Sequence, residues 1–279
     1  MRRSNIKHEL ERHEMTAEEI TAKRERIADL SEQISRLKND LAVFEAEYHG
    51  RIGILYVKLD ELELAIKEYF KRIELLKSEK VKNLVDLEKK IEGQFKTDYQ
   101  KIKEEKEEAE QYSQEYKKVK EKPKLDEESE KRLKTLYREL AKKYHPDMAR
   151  TPEDKKRFHK IMAEINQTYR DKDLKKMEGL AIKLKSQEGL FIEEIIEEAE
   201  GLLVESKKLD EIISRLEDEL NTIRNSDTFK FKEKVDKVGG EGRDLLREME
   251  DGLKTKIKQK EEEIGKEKKI FKDLARTMA

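Results

Sequence analysis

Tyr144-His145-Pro146-Asp147 is the stretch of this chain whose residue types and spacing could act on another molecule. Proline fixes its own φ and keeps the preceding residue out of the helical region, so a helix that reaches Tyr144 must stop there. The imidazole of His145 and the carboxylate of Asp147 are then presented on a short rigid turn, where they can make directed hydrogen bonds to a partner. Upstream, Lys131, Lys134, Arg138 and Lys142 recur every three or four residues and form a basic stripe that points at His145. Such a stripe orients and accelerates an encounter with an acidic surface. Other candidates are weaker. His8 and His13 are five residues apart and poorly placed to chelate from one helix face. Gly239-Gly240-Glu241-Gly242 has no strand before it and no Lys-Ser/Thr after it, so it reads as a turn and not as a phosphate loop. The chain has no P-loop, G-x-S-x-G or H-E-x-x-H motif and no cysteine. We expect no enzymatic activity, cofactor or metal centre.

The elements that position this turn are helices. Ser129 reads as the N-cap of a helix over Glu130–Tyr144, with Leu133, Leu136, Tyr137, Leu140, Ala141 and Tyr144 on one face. The next helix is signalled by Thr151 as N-cap, Pro152 at the first helical position, and Glu153 and Asp154 in the first turn. Its apolar face carries Phe158, Ile161, Met162, Ile165 and Tyr169. Outside this central unit the chain reads as coiled coil. From Ile20 the seam runs through Ile27, Leu30, Ile34, Leu37, Leu41, Phe44 and Tyr48 at alternating steps of three and four. An extra four-residue step to Ile52, beside Gly50 and Gly53, is a stutter. The glycines read as a packing irregularity, with a hinge as the sharper alternative. The seam then continues from Leu55 to Leu76 and, more loosely, through Val81, Leu87, Ile91, Phe95 and Ile102. Unbroken, this arm would hold about 100 residues and reach roughly 150 Å.

A second arm carries Ile192, Ile195, Ile196, Leu202, Leu203, Leu209, Ile212, Leu216, Leu220 and Ile223. It breaks at Asn225-Ser226-Asp227-Thr228, where Phe229 and Phe231 read as a local core plug or a partner-binding tip. The expected fold is all-α: an N-terminal coiled-coil arm over 1–122, a central helical domain over 123–189, and a C-terminal arm over 190–279 with a break near 225–243. Narrow apolar stripes need partners. Antiparallel pairing of the two arms within one chain is the simplest solution, and a parallel homodimer would satisfy the same seams.

Composition bounds the function classes. Charged residues make up 46% of the 279-residue chain, and 64 Lys+Arg against 65 Asp+Glu leave a net charge of −1. A balanced chain has no long-range attraction to nucleic acid or an anionic membrane. No apolar run approaches the ~20 residues of a membrane span, and no cysteine is present for disulfides. We therefore expect a cytoplasmic protein without membrane or nucleic-acid partners.

The segment Leu136-Tyr137-Arg138-Glu139-Leu140-Ala141-Lys142-Lys143-Tyr144-His145-Pro146-Asp147 resembles helix II and the following loop of the J domain of DnaJ-like co-chaperones. Ile165-Asn166-Gln167-Thr168-Tyr169 resembles the end of that family's helix III. The resemblance covers about fifty residues. It implies that His145, Pro146 and Asp147 trigger ATP hydrolysis by a DnaK-type chaperone, and that Lys134, Arg138 and Lys142 meet an acidic patch on it. Tyr137, Leu140, Tyr144, Ile165 and Tyr169 would be packing residues. The arms would then select a client or partner protein. The family's helix I has no counterpart, because the equivalent positions hold Val119-Lys120-Glu121-Lys122-Pro123. Either the tail of the first arm (Tyr112, Tyr116, Val119) packs in its place, or the unit is degenerate. In the latter case the chain would be a structural coiled-coil adaptor.

Overall fold

The computed structural model of the chain describes residues 2–78, 80–121, 125–187 and 199–276, and their side chains except those of residues 2–17, 119, 186–187 and 199–203. The regular elements among the described residues are helices without a strand, as the apolar periodicity requires. In chain order they are α1 (Arg2–Tyr48), a π-helical turn (His49–Gly53), α2 (Ile54–Lys77), α3 (Leu84–Glu121), α4 (Glu127–Tyr144), a 3₁₀ turn (Pro146–Met148), α5 (Pro152–Arg170), α6 (Leu174–Gln187), α7 (Ala199–Asn225), α8 (Asp227–Gly240) and α9 (Leu245–Ala275). Two compact units form, Met1–Leu41 with Pro123–Lys230 and Ala42–Lys122 with Phe231–Ala279. They interleave along the chain.

The first unit has two apolar clusters. In one, Ile20, Ile27, Leu30 and Ile34 of α1 interlock with Leu209, Ile212, Leu216 and Leu220 of α7. Each fully buried Leu or Ile contributes about 1.5–3 kcal/mol. The other joins α4 (Leu133, Leu136, Tyr137, Leu140, Ala141, Tyr144), α5 (Met162, Ile165) and α6 (Met177, Leu180, Leu184). The apolar faces assigned to α4 and α5 from sequence are thus buried. The share taken by α6 was not legible beforehand.

In the second unit, α2 lies between α3 and α9. Leu64, Leu75 and Leu76 of α2 pack with Val81 of the connecting turn and with Leu87, Ile91 and Phe95 of α3. Leu62 and Ile66 pack with Ile264 of α9. The stutter is absorbed by the π-helical turn, where Ile52 is fully buried against Leu246 and Leu253. Gly50 is required for close approach, since a Cβ there would sit 3.1 Å from the Ser113 Cα on α3, whereas one at Gly53 would meet only the His49 side chain at 3.6 Å. The packing reading of this pair therefore stands over the hinge. Phe231 lies in α8, edge-on to Phe44 (5.6 Å) and Tyr48 (5.3 Å), a core plug. Phe229 is half-buried in the first turn of α8. Gly239–Gly242 ends α8 in a turn with Gly242 at φ 80°, where glycine avoids the left-handed penalty.

The pairing direction of the two arms corrects the sequence expectation. In the first unit Arg24 bonds Glu205, Arg26 bonds Glu217 and Lys38 bonds Glu219, so partner numbers rise together and α1 and α7 run parallel. In the second unit Arg51 with Glu250 and Tyr69 with Phe271 give the same direction for the π turn and α2 against α9. The antiparallel pair is α2 with α3, where Glu68 meets Tyr99 and Glu61 meets Lys106. Between Ser78 and Asn83 the second unit contains a reversal that the seam does not announce. Ser78 closes α2, its Oγ donating to the Leu75 carbonyl at 3.2 Å. Asn83 Oδ1 accepts the Asp86 N–H at 2.9 Å and opens α3.

Candidate docking site

Local chemistry builds α4 and α5 much as the sequence indicates. The cap of α4 is Asp126, whose Oδ1 accepts the Ser129 N–H at 2.8 Å, so Ser129 lies inside the first turn and is not the N-cap. Glu127, Glu128 and Glu130 at that end and Lys142 and Lys143 at the other suit the helix dipole. Thr151 caps α5, accepting the Asp154 N–H at 3.1 Å. Tyr144 packs edge-on to Phe158 at 5.6 Å, and Tyr137 lies 4.6 Å from Tyr169, which ties the two helices together at both ends. Leu140 and Ile165 are buried between them.

At the turn His145 takes the extended conformation (φ −63°, ψ 127°) that a following proline imposes. The Met148 N–H donates to the His145 carbonyl at 3.0 Å. The imidazole is only 8% exposed, and its Nδ1 accepts the Asp147 N–H at 3.3 Å. Burial holds its pKa below the ordinary histidine range, against the opposing pull of Asp147; Arg215 adds to the lowering, with smaller effects from Glu219 and His159. Protonation would place a charge in this site and remove the acceptor for Asp147. A depressed folded-state pKa makes stability fall as pH drops through the ordinary histidine value, about 6.5, toward the folded one. Urea unfolding followed between pH 7 and 5 should show that slope in the wild type, and His145→Gln should remove its share. Identical slopes in the two proteins would contradict it.

The third side of the site comes from α1, which runs antiparallel to α4. Ala28 enters the α4–α5–α6 cluster, and the Tyr137 hydroxyl lies 3.2 Å from the Ser31 carbonyl and 2.8 Å from Asn166 Oδ1. The Tyr169 hydroxyl donates to Glu32 at 2.6 Å, and burial together with this bond pushes the Tyr169 phenol above its ordinary range. Glu32 is 1% exposed and also faces Lys134 Nζ at 3.5 Å. Arg138 pairs with Asp29. Lys142 pairs with Glu25 at 2.9 Å, and its ammonium holds that carboxyl below the usual range. The three cations assigned to partner binding are thus matched, in register, by three carboxylates of the same chain.

Asp147 is engaged as well, by Arg215 of α7 at 3.3 Å and Lys155 at 3.6 Å. Lys208 donates to the Ala149 carbonyl at 3.1 Å, and Met148 packs against the α1–α7 seam. His145, Pro146 and Asp147 are therefore brought together with the basic stripe, beneath α1 and α7. Sequence reasoning missed Glu25, Asp29, Glu32, Lys208 and Arg215. Their signal was the four-three spacing of the acids on α1, close to the four-four spacing of Lys134, Arg138 and Lys142.

Tyr112 stacks on His49 at 4.7 Å and the Tyr116 hydroxyl donates to Glu47 at 3.3 Å, both in the second unit. Residues 122–124 with Pro123 and the apolar positions Ile192, Ile195 and Ile196 lie outside what is described, as do the side chains of Val119, Leu202, Leu203, His8 and His13. Among the described residues no cluster of His, Asp and Glu has metal-binding geometry, and no helix is long and apolar enough to cross a membrane. Compared with known proteins, the chain matches no family model, no curated protein and no solved structure.

Proposed function

We propose that α4, the His145-Pro146-Asp147 turn and α5 form a J-like docking unit, and that the chain is a cytoplasmic co-chaperone which presents this unit to a DnaK-type ATPase and stimulates its hydrolysis. The observation that carries this reading is the turn itself. α4 ends at Tyr144, the 3₁₀ turn is anchored by backbone bonds on both sides, and α5 starts from a capped Thr151-Pro152. Lys134, Arg138 and Lys142 project from the helix that leads into it. Directed hydrogen bonds from a rigid turn supply specificity, and the basic face supplies orientation and on-rate. The remaining helices would engage a client or partner protein.

A second reading is favoured by one specific observation, the engagement of the basic stripe and Asp147 within the chain. On that reading the unit only reverses the chain, and the protein is a coiled-coil adaptor. Hydrogen exchange of the full chain with and without an ATP-loaded DnaK-type chaperone separates them. The co-chaperone reading predicts altered protection centred on residues 131–149. Changes confined to the second unit, or none with saturating chaperone, would favour the adaptor.

A further inference from the structure

The apolar clusters of the first unit are partitioned in a way that bears on access to the turn. Among the described residues, α1 gives only Ala28 to the α4–α5–α6 cluster, and the turn gives only the partly buried Met148 to the α1–α7 cluster. What joins the α1–α7 pair to the α4–α5–α6 group is otherwise polar. It includes Lys134, Arg138 and Lys142 with Glu32, Asp29 and Glu25; Tyr169 on Glu32; Tyr137 on the Ser31 carbonyl; Arg215 on Asp147; and Lys208 on the Ala149 carbonyl. Two groups that each keep most of their own apolar contacts and meet through a largely polar face can separate at a small apolar cost, here that of Ala28 and Met148, as transient interfaces do. Glu32 also gains hydration on separation, since a carboxylate is costly to bury even when paired.

We infer that the α1–α7 pair is a displaceable cover, and that the α1 face formed by Glu25, Asp29 and Glu32 is an internal surrogate for the acidic surface of the ATPase. This rests on the proposed function and adds regulation to it. The docking surface is latent in the closed form, and an acidic partner competes with α1 for the same three cations. Coupling by competition is reciprocal: whatever loosens α1 raises the apparent affinity for the ATPase by the factor by which it raises the open population.

The test uses the full chain carrying Glu25→Lys and Asp29→Lys, which leaves the buried Glu32 in place. A second variant, Arg215→Gln, removes the α7 partner of Asp147 from an exposed position and leaves its pairing with Lys155. Two readouts are taken: the rate of amine acetylation at Lys134 and Lys142, resolved by mass spectrometry, and the chain concentration giving half-maximal stimulation of a DnaK-type ATPase. Exposed ion pairs are each worth no more than a few-fold in an equilibrium, so removing two should shift that concentration downward by roughly 3- to 20-fold. Acetylation at Lys142 should rise in parallel, and Arg215→Gln should shift stimulation in the same direction. Faster acetylation with stimulation equal to wild type would overturn the cover while leaving the docking function intact. Unchanged acetylation and stimulation in both variants would overturn it too. Lysines that become reactive in a chain that never stimulates would instead overturn the docking function on which the cover rests.

Discussion

Replacing Tyr137 with alanine is expected to cost about 3–5 kcal/mol, the range for truncating a buried aromatic ring. The ring is 1% exposed, lies against Tyr169, and belongs to the cluster shared by α4, α5 and α6. Its hydroxyl also reaches α1 through the Ser31 carbonyl and α5 through Asn166. Tyr137→Phe keeps the ring and removes only the donor, so its cost should be near 1 kcal/mol. Urea denaturation followed by circular dichroism gives both values, and hydrogen exchange locates the loss. Exchange in Tyr137→Ala should accelerate across residues 127–187 and leave α2, α3 and α9 protected. A loss below about 1 kcal/mol for the alanine variant would mean that the cluster repacks readily. It would remove the basis for treating α4 and α5 as a rigid mount for the turn.

The α4–turn–α5 hairpin was legible in the sequence because its signals are local. Proline at 146 terminates a helix wherever it falls, Thr151-Pro152 opens one, and the period of Leu133 to Tyr144 is set by the helix itself. The seam stutter after Tyr48 was legible for the same reason, since an extra step in a periodic pattern must be taken up by the backbone, here as the π-helical turn. The N-cap of α4 moved from Ser129 to Asp126 because both residue types can cap, and the choice depends on where Leu125 and Leu133 are buried.

Direction and partnership were not legible. A heptad seam says that a helix needs a partner but leaves open which one and in which direction. The reversal between Ser78 and Asn83 sets α3 against α2, and its side-chain caps are individually common. Glu25, Asp29 and Glu32 were lost among 65 acidic residues, because a carboxylate at the surface and one paired across an interface look alike in sequence. Only the antiparallel placement of α1 on α4 sets them against Lys142, Arg138 and Lys134. His145, which the turn chemistry by itself presents as free, is buried, and Arg215 of α7 pairs with its neighbour Asp147.

The second large expected effect concerns His145. Glutamine at this position keeps an acceptor for the Asp147 N–H and comparable bulk, so the turn should persist, while the imidazole that the partner would recognise is gone. Stimulation should fall by at least about tenfold, equivalent to about 1.4 kcal/mol or more of docking free energy. The measurement that tests the account most directly is steady-state ATP hydrolysis by a DnaK-type chaperone titrated with wild-type or His145→Gln chain, after circular dichroism shows both to be equally helical. The account predicts stimulation by the wild type that the variant loses. Equal stimulation by the two, or none by either at saturating concentration, would contradict it.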